Sequence, residues 1–342
     1  MTALSALTTI GYRLLQAVPT LIGIVIVTFV LTRALPGDPA VYFAGAAADE
    51  ESISQIRKSM GLDKPMLEQF FIYVKNLMVG DLGTAVSTGR PVTEELARRL
   101  PASIELTLFG LIFALAVSIP LGVLAASRPN SMVDHACRMI MTAGVSLPTF
   151  FTGLFLIYVF YYLLGIAPPP LGRLDIIALP PPDVTGFYTI DAIIVGDFEA
   201  LRASLEQLLL PAITLGLFVL APIARMTRAA MLQVLSSDFI RTARANGLPR
   251  HQVMFAYAFR NAMLPVITTL GMVFSFMLGS NILVEKVFAW PGIGSFAVEA
   301  LIASDYAAVQ GFVLAMAVLY VMLNLTIDLL YTVIDPRVKL EG

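Results

Sequence analysis

Charge is scarce in this sequence. Only 13% of its 342 residues are Asp, Glu, Lys or Arg, whereas 58% are hydrophobic. Soluble domains carry roughly 25% charged residues, so composition excludes a water-soluble fold and marks an integral membrane protein. Cysteine is scarcer still: Cys137 stands alone, which rules out an internal disulfide and a cysteine-based metal centre. The two histidines, His135 and His251, form no His-Glu-x-x-His pattern, so no metal site is expected. None of the five lysines follows a glycine, so no Gly-rich loop ending in Gly-Lys can cradle ATP phosphates. No Gly-x-Ser-x-Gly elbow appears either, and a membrane-embedded enzyme has no candidate catalytic group. The net charge of −2 gives no reason to invoke nucleic acid.

What is present in quantity is apolar sequence of membrane-spanning length. A first span is expected over 14–32, after a short polar N-terminus at 1–13. The run lacks a small-residue cleavage site and ends sharply at Leu35-Pro36-Gly37-Asp38-Pro39, so it reads as an uncleaved anchor. Further spans follow at Ala102–Ala126, Arg138–Leu164, Leu208–Ile223, Ala262–Val284 and Val309–Val333. Two polar segments interrupt them at 33–100 and 165–205; the first holds helical spacing over Asp49–Met60 and Met66–Val79. The second opens on Pro168-Pro169-Pro170 and Pro180-Pro181-Pro182, stiff elements without internal hydrogen bonds. The fold class is thus all-α with six transmembrane helices, the core lying within 101–335 and a tail at 336–342.

Six spans place both termini on one side. The N-terminus, the 127–138 loop, the 225–260 loop and the tail with the adjoining Asp335 hold 11 of the 22 Lys+Arg but only four acids. The positive-inside rule makes these cytoplasmic and leaves the 33–100 and 165–205 segments outside. No internal repeat is evident, which gives no support to an inverted-repeat carrier.

The 225–260 loop is the most one-sided segment, with Arg225, Arg228, Arg241, Arg244, Arg250 and Arg260 against Asp238. Asp238-Phe239-Ile240-Arg241-Thr242-Ala243-Arg244-Ala245-Asn246-Gly247 predicts a helix closed by glycine, where a left-handed cap costs least. Leu248-Pro249-Arg250 starts a second helix with proline in its first turn. Such a helix–Gly–helix offers a protruding knob at the membrane surface. Taken alone, these arginines also fit a topology signal and lipid-headgroup anchor.

This stretch resembles the cytoplasmic coupling loop of ABC importer permeases. Arg241-Thr242-Ala243 and Gly247 stand where that family has Glu-Ala-Ala and its following glycine. The missing glutamate suits the dipeptide/oligopeptide branch, which matches from Arg241 to Leu248. Gly61-Leu62-Asp63-Lys64-Pro65, Gly80-Asp81-Leu82-Gly83, Arg260-Asn261-Ala262-Met263-Leu264-Pro265, Phe288-Ala289-Trp290-Pro291-Gly292-Ile293-Gly294 and Asp335-Pro336-Arg337 agree with it in order. The 165–205 insertion, with Thr185-Gly186-Phe187, resembles the B-type permease subunit of that branch.

The resemblance implies a type I ABC importer permease in the bacterial inner membrane, moving dipeptides or short oligopeptides inward by alternating access. It further implies a homologous second permease (a heterodimer), two ATPase subunits that bind ATP and Mg2+, and a periplasmic or lipid-anchored substrate-binding protein. This chain would bind no cofactor itself. Asp238–Gly247 would enter the ATPase, with Arg241 and Arg244 on one helical face pairing with its acids. Arg225, Arg228 and Arg260 suit anchoring better. Thr268, Thr269, Met272, Ser275 and Phe276 would line the path or its gate, and Trp290, Pro291 and Gly292 the docking face. Of the acids near span ends, Glu105, Glu206, Glu285 and Asp328, Glu285 is the best transport candidate. The same machinery could serve a nickel chelate, an opine or glutathione. An ATP-independent carrier is the alternative from another class; it would need mid-span charges, which the spans lack.

Overall fold

The computed structural model describes residues 3–34, 37–45 and 48–334, and among these no strand occurs. The helices are α1 (Ala3–Ala34), α2 (Pro39–Ala44), α3 (Glu50–Ser59), α4 (Met66–Met78), α5 (Val92–Ser127), α6 (Met132–Ala143) and α7 (Thr149–Leu156). They continue as α8 (Tyr188–Val195), α9 (Phe198–Leu235), α10 (Asp238–Ala245), α11 (Arg250–Gln252), α12 (Arg260–Val287), α13 (Ile293–Ile302) and α14 (Tyr306–Ile334). Two π-helical stretches, Ile157–Leu163 and Val253–Phe259, extend α7 and join α11 to α12. Among the described residues five helices are long and apolar enough to cross a membrane: α1, α5, α9, the continuous run Arg250–Val287, and α14. The tail at 336–342 and the Asp335-Pro336-Arg337 motif lie outside the described residues, as does the Asp328 side chain.

The expected span at 138–164 is not one helix. It divides into α6 and α7 around 144–148, because Pro148 has no N–H to donate and its ring disfavours helical backbone at Leu147. Elsewhere local signals set the boundaries. The Asp49 carboxylate accepts the Ser52 N–H at 3.2 Å and starts α3, and Asp197 accepts that of Ala200 at 2.9 Å and starts α9. Pro211 and Pro222 lie inside α9 without ending it.

The chain divides into two compact units. One comprises Met1–Pro101 with Pro291–Met322, the other Ala102–Trp290 with Leu323–Gly342. In the first, Val92 and Leu96 of α5 pack with Ile293, Phe296 and Ala300 of α13 and with Ala308. Arg33 lies 3.7 Å over the Phe29 ring and donates to Gln69 Oε1 at 3.0 Å. In the second unit α9 is the hub: 72% of its apolar window is buried, against 33% or less in the other four spans. Lipid gives little hydrophobic drive between helices, so close backbone approach does the packing. At Gly216 of α9 a Cβ would lie 2.6 Å from the Gly110 carbonyl oxygen of α5. About three turns along α5, a Cβ on Gly122 would meet Thr227 Cβ at 2.6 Å. Glycine is required at both.

Candidate functional site

The arginine-rich knob forms as the sequence dictates. α10 ends at Asn246, and Gly247 takes φ +76°, the left-handed conformation that turns the chain toward Pro249. One face of α10 is apolar: Ile240 is fully buried and Ala243 nearly so, against Ala230 and Met231 of α9, Ala126 of α5, and Val253, Ala258 and Ala262. The other face is open. Asp238 and Arg241 face each other at 3.5 Å with side chains 93% and 80% exposed, and Phe239 is half-exposed. The helix is therefore mounted by its small apolar face on three neighbouring helices while presenting a polar ridge.

Arg241 and Arg244 are both exposed. Arg241 points along the open ridge toward Asp238, whereas Arg244 lines a cavity beneath the knob together with Arg250. Arg250 also donates to the Ser127 carbonyl at 3.0 Å, tying the start of α11 to the end of α5.

A second tie was not evident from sequence. Asp134, on the first turn of α6, is fully buried and accepts two hydrogen bonds from Arg228 of α9, at 2.8 Å (Nε) and 2.7 Å (Nη2). It also accepts the Asn130 N–H at 3.0 Å, and Arg138 stands 3.6 Å away. The Arg228 hydrogen bonds hold the Asp134 carboxyl well below the usual carboxylate range, with the Asn130 N–H and the Arg138 charge adding to the effect. Arg228, expected to anchor in lipid, is thus a structural partner.

At the opposite end of α5, Glu105 is buried under the 165–205 insertion. Its carboxylate accepts Arg173 Nη2 at 2.7 Å, and the Thr189 N–H and hydroxyl at 2.9 and 2.7 Å. The Arg173 guanidinium also lies 3.5 Å over the Tyr188 ring and donates to the Gly186 carbonyl. Asp191 gathers the N–H groups of Val184, Thr185 and Gly186 and the Thr185 hydroxyl. Burial pushes its pKa up, but those hydrogen bonds outweigh burial and leave it lowered. Glu105 fastens the insertion to α5, and Asp191 fastens the 184–186 loop to the insertion's own helix α8. Glu105 therefore holds structure, and Glu206 is occupied on the surface by Arg202 at 2.8 Å.

On α12, Thr268, Met272 and Phe276 share an exposed stripe; Met272 and Phe276 are 63% and 61% exposed. Thr269 and Ser275 flank it partly buried, their hydroxyls donating to the Pro265 and Gly271 carbonyls. Glu285 is off the stripe. It is fully buried, and the Ser103 hydroxyl of α5 donates to it. Nearby, Asn281 donates to the Ser103 carbonyl at 3.2 Å. Glu285, expected on the path, is placed in a polar clasp between α5 and α12, where neighbouring donors hold the carboxylate. Trp290, expected on a docking face, is 1% exposed and donates its indole N–H to the Ala102 carbonyl at 2.9 Å. Pro291 is exposed and Gly292 buried. Sequence contained these charged partners but no signal for pairings 68 and 94 residues apart.

Comparison with known proteins gives a consistent result. Residues 118–340 match the model for the binding-protein-dependent transport system inner membrane component, and 7–107 its N-terminal companion. A probable D,D-dipeptide transport system permease of Escherichia coli K12 is 45% identical over 320 residues, covering 94% of each chain. The dipeptide transport system permease of the same strain is 41% identical over 329 residues, covering 96% of this chain and 97% of the relative. A glutathione transport system permease of Shigella flexneri is 36% identical over 327 residues, 96% of this chain and 97% of the relative. Among solved structures, an inward-facing form of the MetNI methionine ABC transporter superposes with TM-score 0.52 at 17% identity, covering 71% of this chain and 97% of that one. That last likeness is one of fold.

Proposed function

The chain belongs to the family of binding-protein-dependent transport system inner membrane components, and from that premise we propose that it is the membrane-spanning subunit of an ATP-driven importer of dipeptides or short oligopeptides. It is a multi-pass protein of the bacterial inner membrane. In the proposed arrangement α6–α7 forms a sixth, broken crossing, both termini and the knob face the cytoplasm, and the 33–100 and 165–205 segments face outward.

The observation that carries the reading is the mounting of α10. Its buried face is fixed to α9, α5 and the π-helical start of the α12 span, while Asp238, Phe239 and Arg241 stand open. A force applied to that ridge by an ATPase subunit reaches three spans at once. The chain hydrolyses nothing in this scheme; ATP and Mg2+ belong to two ATPase partners. A homologous second permease would cover the Thr268–Met272–Phe276 stripe, and the shared surface would form the path. A substrate-binding protein would dock on the outward segments. Peptide cargo is favoured over glutathione by identity, 45% and 41% against 36% at similar coverage.

The test is ATP hydrolysis by the co-purified complex in lipid nanodiscs, with and without binding protein and a dipeptide library. Loaded binding protein should stimulate hydrolysis, and Arg241→Glu should assemble yet lose the stimulation. Normal stimulation in that variant would remove the open ridge from the coupling role. Hydrolysis indifferent to every dipeptide would remove the substrate assignment.

A further inference from the structure

The cavity beneath the knob is not absorbed by that function. It has a volume of about 590 Å3 and lies where three spans end together: Ser127 closes α5, Leu235 closes α9 and Arg250 opens the run leading into α12. With the cytoplasmic placement proposed above, these helix ends would face the headgroup layer. Its walls have two chemistries. Leu232, Leu235, Leu248, Val253 and Met254 make one side apolar. Arg244 and Arg250 supply two guanidinium groups, and no acidic residue lines the space.

The two arginines are differently engaged. Arg250 spends one N–H on the Ser127 carbonyl and keeps the rest of its fork. The exposed Arg244 side chain has neither hydrogen bond nor ion pair among the described residues. Asp238, on the same helix, faces Arg241 and lies outside the cavity lining. Two planar guanidinium forks facing a space without a counter-ion favour a phosphate, which each fork can grip bidentately. The apolar wall beside them favours an amphiphile over a free anion, and basic pockets between spans at the cytoplasmic surface take anionic lipid headgroups.

We infer that this cavity is a binding site for the phosphodiester headgroup of an anionic phospholipid, held by Arg244 and Arg250 with its acyl chain along Leu232, Leu235 and Met254. The lipid would sit beside the knob where Arg244 and Leu248 line the cavity, flanking the ridge offered to the ATPase. Arg244 is thereby assigned to lipid and Arg241 to coupling. The inference uses the cytoplasmic placement proposed above but not the identity of the cargo.

The full complex, purified with its ATPase subunits, is exchanged into phosphatidylcholine nanodiscs doped with phosphatidylglycerol, then released into detergent and analysed by native mass spectrometry. The wild type should retain phosphatidylglycerol, and Arg244→Gln with Arg250→Gln should lower retention by about a hundredfold, tenfold per charge-assisted contact. Arg244→Lys with Arg250→Lys should fall between, since charge remains but the fork is lost. Arg138→Gln, an exposed arginine outside the cavity, should retain lipid normally. Unchanged retention in the Gln variant overturns the site. Displacement of phosphatidylglycerol by soluble glycerol 3-phosphate or inorganic phosphate at low concentration overturns the lipid assignment in favour of a free phosphate. Loss of the ATPase subunits from the Gln variant with lipid retention intact shows instead that ATPase acids fill the cavity. Because the readout is lipid retention, failure here leaves the dipeptide-stimulated hydrolysis test untouched.

Discussion

Asp134 and Arg228 allow the tie between α6 and α9 to be measured. The pair has two charge-assisted hydrogen bonds of 2.7–2.8 Å, with Asp134 fully buried and the Arg228 side chain 22% exposed. Charge-assisted hydrogen bonds contribute about 1.5–3 kcal/mol; partial exposure of the guanidinium moves the expected coupling to about 2 kcal/mol. Asp134→Asn should lose about that much by leaving Arg228 short of its charge, and Arg228→Gln should lose as much by leaving a buried carboxylate with only the Asn130 N–H and Arg138 at 3.6 Å. The double variant should be less destabilised than the sum, since neither partner is then stranded. The measurement is a double-mutant cycle on denaturation of the chain in mixed micelles, followed by circular dichroism. Additive losses, with no coupling between the sites, would refute the assignment of a tie.

The pH dependence of the same pair has a definite sign. The folded-state pKa of Asp134 lies below its ordinary value of 3.8, so its stabilisation is complete above that value and is lost as pH falls through the lower folded one. Between about pH 8 and pH 5 the coupling energy from the cycle should stay flat; a decline within that window would show the carboxylate is not held by Arg228. Glu105→Gln should cost about 3 kcal/mol by stranding Arg173 in a buried site, and should expose the 165–205 insertion to limited proteolysis before any other segment. Gly216→Leu should abolish the close α5–α9 approach, costing at least the roughly 1–3 kcal/mol of ordinary overpacking, and should reduce membrane accumulation measured by immunoblot. Met272→Cys and Phe276→Cys should react with a maleimide in the isolated chain and become protected in the assembled complex. Equal labelling in both would exclude the stripe from a subunit contact or closed gate.

Local chemistry was legible in the sequence. Helices at Glu50–Ser59 and Met66–Met78, the knob at Asp238–Ala245 with its Gly247 cap, and the long spans all follow from apolar spacing, capping residues and glycine or proline punctuation. These signals act within a few residues of chain, where covalent proximity fixes which groups can meet. The break at 144–148 was also written in Pro148 and its preceding residue, although hydropathy over 138–164 masked it.

The sequence by itself determined that this protein lives in a membrane, which segments are helical, and that a glycine-capped arginine knob interrupts them. Tertiary structure decided which charges meet. It took Asp134 to Arg228 and Glu105 to Arg173, buried Glu285 and Trp290 as clasps on α5, and set Arg241 beside Asp238 while Arg244 came to line a cavity with Arg250. The reason is physical: a buried charge or N–H must find a partner wherever the packed helices leave one, and that choice depends on the rotation and approach of whole helices. Glycines such as Gly122 and Gly216 permit that approach, but no short stretch of sequence specifies it.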